Sequence, residues 1–173
     1  AEADENTTDD PVERGRITVA KLEHPGGCNA APWALINLMN TVSEKLGLRA
    51  GAEPTPLRMT DPAIFDHHLL FMHGRHTFRL TDAERQQLKT YVERGGMLMA
   101  DSICGNRAFT DSFRREMALI FSDKPLERIP ASDPLLSPTY GGFDLRQVTR
   151  RDPQTGDARG PLEAMLRKGP PEL

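Results

Sequence analysis

The hydrophobic positions of this chain fall into short apolar runs and longer amphipathic stretches, in the order expected of strands and helices. The clearest example runs from residue 67 to residue 105 and reads HHLLFMHGRHTFRLTDAERQQLKTYVERGGMLMADSICG. Residues 69–72 form an apolar run too short for a helix, which predicts a parallel strand covered on both faces. Thr81 and Glu84 have the spacing of a capping box, so an amphipathic helix is predicted to begin there and to end at the Gly-Gly pair. Residues 97–100 predict a second buried strand.

Polar side chains follow both of these predicted strands. A strand, a helix and a strand in this order form a right-handed crossover, so the two strands point the same way and their ends meet at one edge of the sheet. Functional residues are therefore expected at that edge, where the sequence places His73, Arg75, His76, Asp101, Ser102, Cys104 and Arg107.

The rest of the chain continues the alternation of strands and helices. Residues 17–22 predict a first strand, and the Pro-Gly-Gly turn after it leads to a helix over about residues 30–46, capped by Asn29. Strands that alternate with helices predict a three-layer α/β/α fold with a mainly parallel, flavodoxin-like sheet. Weaker patterns complete the prediction: an edge strand around residues 57–59, a helical turn over 61–65, a helix over 110–121, a candidate strand at PLERIP (125–130) and a helical turn or strand over 162–167.

Composition narrows the class of protein. The chain has 173 residues, of which 38% are hydrophobic, so it can bury one core, and residues 16–173 are expected to form a single domain. The net charge of −3 produces no overall field that would attract nucleic acid. No apolar run approaches the roughly 20 residues of a membrane span. We therefore expect neither a nucleic-acid partner nor a membrane span.

The first fifteen residues, AEADENTTDDPVERG, are acidic and lack an apolar stretch, which is typical of a disordered leader. Signal peptidases leave small residues at the cut, so a chain that opens on Ala1 without methionine fits an exported, periplasmic protein. A cytoplasmic location is the alternative.

The turn after the first strand has no nucleotide signature. His24 is expected to be exposed in this turn, and the glycines before a helix N-terminus could bind an anion, but G-x-G-x-x-G and G-K-[ST] are both missing. No cofactor is therefore expected. The two cysteines, Cys28 and Cys104, could form one disulfide or remain free thiols, and the sequence leaves both open.

A longer pattern resembles one bacterial family. It comprises RITVAKL, a Gly-Gly turn, an A-x-x-N-L-x helix, D-P-x-x-F, a strand that ends in H-G-R-H, L-T-x-x-E-x-x-x-L-x-x-Y-V-E-R-G-G-M-L-x-A-D, and F-x-x-S-F-R-R-E-M. Residues 16–142 carry the likeness, and residues 73–117 are its specific part. This order resembles the family named only as domain of unknown function 4159 (DUF4159).

The resemblance implies a class I glutamine amidotransferase-like fold and no established activity. Members are usually exported or attached to membrane proteins. They normally continue into further strands, so an end at Leu173 predicts a truncated or atypical chain. Two residues depart from the family pattern: Cys28 stands where an acidic or aromatic residue is usual, and Cys104 lies in a loop that is more often glycine-rich.

That fold suggests a catalytic arrangement. In the glutaminases a cysteine occupies the sharp turn from strand to helix, a histidine and a glutamate follow downstream, and backbone amides form the oxyanion hole. Here the turn falls on Asp101 or Ser102, and Cys104 comes a few residues later. All five histidines precede Cys104. A hydrolase or amidase would therefore need His73 or His76 to reach Cys104 or Ser102.

The same residues could instead bind a metal. His73, His76 and Asp101 would supply two imidazoles and a carboxylate, the ligand mix of zinc or iron sites. We favour the alternative in which His73 hydrogen-bonds backbone, His76 is solvated and Asp101 caps the next loop, because H-x-x-H in a loop does not fix the direction of the rings. A carboxylate that ends a buried strand is costly unless it is paired, which predicts an ion pair between Asp101 and one of Arg75, Arg107 and Arg114.

A binding module is the third interpretation, and the one we favour. The polar edge would surround a cleft suited to a polar or anionic small molecule, such as a sugar or a carboxylate. Packing of Trp33 against the sheet is the alternative to a role for this side chain in the cleft. We therefore expect a non-catalytic domain that binds a small molecule or a protein partner, through Arg75, His76, Asp101, Arg107 and Trp33.

Overall fold

The computed structural model describes residues 16–53, 55–140, 144–147, 149–151, 155 and 158–161. Contacts divide the chain into two compact units, Ala1–Leu126 and Glu127–Leu173. The leader predicted over residues 1–15 and the element predicted over residues 162–167 lie outside the described residues.

The first unit is a parallel sheet with helices on both faces. In the part of the chain that the structure describes, all its strand pairings are parallel, in the order β2-β1-β4-β5, with β3 beside the end of β1. This confirms the predicted three-layer, mainly parallel α/β architecture. The elements are β1 (Arg16–Glu23), α1 (Ala34–Leu46), β2 (Arg49–Ala52), β3 (Leu57–Arg58), β4 (Leu69–Gly74), α2 (Asp82–Glu93), β5 (Met97–Ser102) and α3 (Arg107–Ile120).

The two faces of the sheet are covered by different helices, because successive strand residues point to opposite faces. On one face, α1 packs against Val19 of β1 and Phe71 of β4. On the other face, α2 and α3 cover Ala20 of β1 and Leu70 of β4. The neighbouring strands β1 and β4 are thus followed by helices on opposite faces. Their carboxyl ends form the topological switch point, where α/β proteins commonly bind ligands.

Two helices begin at other residues than the sequence predicted. α1 begins at Ala34 rather than near residue 30, and Asn29 does not cap it, since its Oδ1 accepts a hydrogen bond from the buried Lys21 Nζ at 3.2 Å. α3 begins at residue 107 rather than 110, because Asn106 caps it by accepting from the N–H of Ala108 at 2.9 Å. The predicted capping box of α2 is confirmed.

β5 is an edge strand, whereas its apolar run predicted a buried one. Met97 is 61% exposed and Met99 is 46% exposed. The reason is that β5 pairs with β4 on one side, and no strand among the described residues pairs with its other side. An apolar run indicates a strand, but it does not show how many other strands will pair with it.

Elements with weak sequence patterns were predicted less well. β2 has the sequence RAGA, which carries no strand signal, and it forms because it pairs with β1. The candidate strand at residues 125–130 takes neither helical nor strand conformation.

None of the described helices is long and apolar enough to cross a bilayer. The described residues of the second unit form two 3-10 turns and an antiparallel hairpin: Pro134–Leu136, Leu145–Gln147, β6 (Thr149–Arg151) and β7 (Ala158–Pro161).

Candidate functional site

The turn after β1 folds against the end of β4 at the switch point. The Gly26 carbonyl accepts hydrogen bonds from the backbone N–H groups of Arg75 at 2.9 Å and His76 at 3.0 Å. This approach requires a glycine at position 74, because a Cβ on Gly74 would overlap the Gly26 oxygen and crowd the Phe109 ring. The turn therefore fixes the backbone from which the Arg75 and His76 side chains project.

His73 supports the same turn. Its Nε2 lies 2.6 Å from the carbonyl oxygen of Cys28, so it carries the proton and donates it to this bond. The ring is 1% exposed and packs edge-on against Phe71. His73 is therefore engaged with backbone, and its bonded nitrogen is not available to a nucleophile.

The two predicted nucleophiles lie at the end of β5. Cys104 has a left-handed backbone, with φ 57° and ψ 26°, and its side chain is exposed. The Arg75 Nη2 lies 3.7 Å from the Cys104 Sγ. Ser102 Oγ donates to the carbonyl of Asn106 at 2.7 Å. Among the described residues, no histidine forms a hydrogen bond with either nucleophile.

The remaining residues of the predicted edge are solvated. Arg107 and His76 are exposed, and Trp33 is 68% exposed, so this tryptophan does not pack against the sheet. The predicted ion pair of Asp101 is not formed with any arginine that the structure describes, and Asp101 is exposed at the end of an edge strand.

Neither a metal cluster nor a disulfide is present in the described part of the chain. No group of three His, Cys, Asp or Glu side chains there could hold a metal ion, so His73, His76 and Asp101 are not brought together as a ligand set. Cys28 is a buried free thiol and Cys104 an exposed one.

A cavity of about 430 Å³ opens beside the turn, and the sequence did not predict it. Its walls come from the ends of β1 and β3, which pair with each other, and from the first turn of α2. For the residues of β1, β3 and the turn after β1, the signal that could have found them is their position at or just after the end of a strand. The lining residues are Glu23, His24, Pro25, Cys28, Arg58, Thr60 and Glu84.

The His24 side chain is 5% exposed, so the prediction of an exposed turn residue is wrong. The turn folds back over the core and places the ring 5.3 Å from the Phe78 ring and 5.7 Å from the Phe109 ring. Its Nδ1 accepts a hydrogen bond from the Gly26 N–H at 3.1 Å. Burial lowers the pKa of His24 from 6.5 to about 4, with a smaller opposing effect of the Glu84 carboxylate.

This burial predicts a pH dependence of stability. The unfolded chain binds the His24 proton near pH 6.5 and the folded chain near pH 4, so stability is lost as the pH falls through this window. At about 1.4 kcal/mol for each pKa unit, the full loss across this window is about 3 to 4 kcal/mol. We expect urea unfolding of a His24→Gln variant to show a correspondingly flatter pH profile than wild type. His68→Gln, at an exposed position, should keep the wild-type profile, and an unchanged profile in both variants would contradict the buried, neutral histidine.

The loop after β4 is held by α3. The Phe78 N–H donates to Ser112 Oγ at 3.1 Å, and Arg115 Nη2 donates to the Phe78 carbonyl at 2.6 Å. The fully buried Glu116 carboxylate in turn accepts from Arg85 Nε of α2 at 2.8 Å. This network connects α2, α3 and the loop that carries Arg75.

The comparison with curated proteins gives no match. The profile of one family, described as a domain of unknown function (DUF4159), matches residues 18–168. The match covers most of the chain, and it includes β4, the turn after β1 and the loop of Cys104. The family suggested by the sequence pattern is thereby confirmed, and the chain belongs to the DUF4159 family.

Proposed function

We propose that this domain binds a small molecule with an anionic group at the carboxyl edge of the sheet, and that Arg75 is the principal contact. The proposal rests on the exposure and the contacts of the Arg75 side chain. Arg75 is exposed, its backbone is held by the Gly26 carbonyl, and no carboxylate among the described residues pairs with its guanidinium. A guanidinium that is fixed at its base, and that contacts the Cys104 sulfur rather than a carboxylate, is suited to bind a carboxylate or a phosphate.

The surroundings support a ligand rather than a purely solvated surface. The site lies at the switch point between β1 and β4, and the turn that holds Arg75 also contributes His24 and Cys28 to the 430 Å³ cavity. A cavity of this size is within the usual range for small ligands. Exposed Arg107 adds a second positive charge after β5, and exposed Trp33 adds an aromatic surface before α1.

The bonds of the candidate catalytic residues favour binding over hydrolysis. A general base must lie within hydrogen-bond reach of the nucleophile. His73 instead donates to the Cys28 carbonyl, and Ser102 donates to the Asn106 carbonyl. A hydrolase or amidase remains the second candidate, because the exposed Cys104 combines a left-handed backbone with the Arg75 guanidinium beside its sulfur.

The binding proposal predicts a specific loss. In calorimetric titrations with a panel of small carboxylates, sugar acids and phosphate, Arg75→Gln should bind the best ligand about 10- to 100-fold more weakly than wild type, the usual effect of losing a charged hydrogen bond. Arg79→Gln is the matched control, since Arg79 is an exposed arginine of the same loop, and its affinity should stay close to wild type.

Two outcomes would count against the proposal. Equal affinities of the Arg75 and Arg79 variants would show that the anion does not bind at this edge. A covalent adduct of wild type, detected by intact mass and missing in Cys104→Ser, would favour the hydrolase or amidase. An exported location stays a prediction, which fractionation of the native organism would test.

A further inference from the structure

A lysine is buried beneath the turn after β1 without a counterion. Lys21 is 6% exposed, and its Nζ has one hydrogen-bond partner, the neutral Oδ1 of Asn29 at 3.2 Å. No carboxylate among the described residues pairs with it, and Glu23, two residues further along β1, pairs with Arg58 at 3.7 Å. An ammonium has three N–H donors, and a buried charge without a partner is costly. Lys21 therefore has unused capacity to bind an anion.

His73 has an unused polar atom on the same face of the sheet. Its Nε2 donates to the Cys28 carbonyl, which leaves Nδ1 as an acceptor, and this buried atom has no partner in the described part of the chain. Lys21 lies opposite Phe71 in the register of β1 and β4, and the His73 ring packs edge-on against the Phe71 ring. Both polar side chains also bind consecutive residues of the turn, Asn29 and Cys28. They therefore lie side by side beneath it.

The first turn of α1 lies on the same side of the sheet. Leu35, the second residue of this helix, packs with Phe71 and Val19. No side chain caps α1, and its first turn has no acidic residue. The N–H groups of Leu35 and Ile36 have no hydrogen-bond partner among the described residues. Such groups bind anions, because the helix dipole also favours negative charge at this end.

We propose that a hydrogen phosphate group binds beneath this turn, between Lys21, His73 and the N-terminus of α1. Lys21 Nζ and the helix N–H groups donate to the phosphate oxygens, and the P–OH group donates to His73 Nδ1. Asn29 is exposed, so its side chain can turn to solvent and leave the Lys21 ammonium to the phosphate. Ionised carboxylates and sulfate only accept hydrogen bonds, so neither would satisfy Nδ1.

This inference goes beyond the proposed function, because the position is separate from the Arg75 side chain and does not require it. Arg75 contacts Cys104 after β5, whereas Lys21 lies under the turn that leads from β1 to α1. The two positions are therefore tested by different variants and different signals.

NMR amide shifts of the 173-residue chain, recorded at constant ionic strength, test the position. Inorganic phosphate should shift the amide signals of Leu35 and Ile36. Lys21→Met removes the charge and keeps an unbranched side chain, and it should weaken this binding about 10- to 100-fold, the usual effect of losing a charged hydrogen bond. Lys45→Met, at the exposed last turn of the same helix, is the matched control and should bind as wild type does. Arg75→Gln should leave these shifts unchanged, so failure of either proposal is seen separately.

A second variant keeps the test independent of the stability of Lys21→Met. Ala34→Glu places a carboxylate at the exposed first residue of α1, where it stabilises the helix and repels phosphate. Its urea midpoint should equal or exceed that of wild type, and its phosphate affinity should fall at least about 10-fold. Asn40→Glu adds the same charge at an exposed position further along α1 and should retain most of the affinity.

The site would be overturned by phosphate that leaves the α1 amides unshifted at millimolar concentration. Equal weakening by Lys21→Met and Lys45→Met, or by Ala34→Glu and Asn40→Glu, would overturn it as well. Sulfate or acetate that binds as tightly as phosphate would overturn the assignment of a hydrogen phosphate and the role of His73.

The source of the group is decided by comparing inorganic phosphate with glycerol phosphate at a pH of about 6, where a large fraction of both retains a P–OH group. Tighter binding of the ester would assign the site to a phosphorylated small molecule, and tighter binding of the inorganic ion would assign it to free phosphate. Shifts of the α1 amides by neither compound would overturn the proposal.

Discussion

Gly74→Ala is expected to lower the free energy of unfolding by about 3 kcal/mol. The new methyl group would overlap the Gly26 carbonyl and meet the Phe109 ring, so the turn after β1 must move away. Overpacking of this kind costs about 1 to 3 kcal/mol, and the two hydrogen bonds that Gly26 accepts from Arg75 and His76 add about 1 kcal/mol each when they are strained or lost. Urea unfolding at neutral pH measures the loss. The same change should weaken ligand binding at Arg75, since the turn positions that residue.

Gly47→Ala is the matched control. Gly47 ends α1 with φ 61°, but no atom lies within 4 Å of the position its Cβ would take. Alanine there should cost only about 1 kcal/mol, the price of a left-handed conformation. If the two variants were equally stable, close contact between the Gly26 turn and β4 would not be what holds the switch point together.

Glu116→Ala is expected to destabilise the protein by about 3 kcal/mol. The Glu116 carboxylate is fully buried and accepts from Arg85 Nε at 2.8 Å, with Arg115 Nε at 3.4 Å. Removal of one partner of a buried ion pair costs about 3 to 5 kcal/mol, because the remaining charge loses its counterion. The lower value applies here, since both arginines reach solvent and Arg85 keeps its contact with Asp82 at 2.7 Å.

Glu93→Ala tests whether the expected loss of stability in Glu116→Ala results from the burial of its ion pair. Glu93 pairs with Lys89 at 3.9 Å on the exposed side of α2, and such surface pairs contribute less than about 1 kcal/mol. Similar unfolding free energies for the two variants would show that the buried network does not stabilise the fold. The Glu116 variant should also loosen the loop after β4, because Arg115 binds the Phe78 carbonyl from the same network, and hydrogen exchange of this loop would report it.

The sequence correctly predicted elements that depend on interactions between residues close together in the chain. The capping box at Thr81 was found because the side chain and the amide it binds are three residues apart. The start of α1 was predicted too early, since Asn29 binds Lys21 instead of the helix. That partner lies on the strand before the turn, and no local pattern favours it over the helix amides.

The candidate site likewise has features that depend on nearby residues and were predicted, and features that depend on distant residues and were not. The carboxyl edge of β4 and β5 was identified correctly as the place where Arg75 and Cys104 meet, because right-handed crossover places both strand ends at one edge. The bond of His73 to the Cys28 carbonyl joins residues that are 45 positions apart. The cavity wall likewise brings together residues that are far apart in the sequence: His24, Arg58 and Glu84. Neither could be predicted without knowing how the turn after β1 folds.

The sequence by itself determined the class of fold, the order of its central elements and the family, because these depend on hydrophobic period, helix caps and a long motif. Only the tertiary structure decided that β5 is an edge among the described strands, that His24 is buried and that Asp101 is exposed. Exposure and hydrogen-bond partners depend on which distant segments pack together. The same apolar run is buried between two neighbours or exposed beside one, and the residues of the run are identical in both cases.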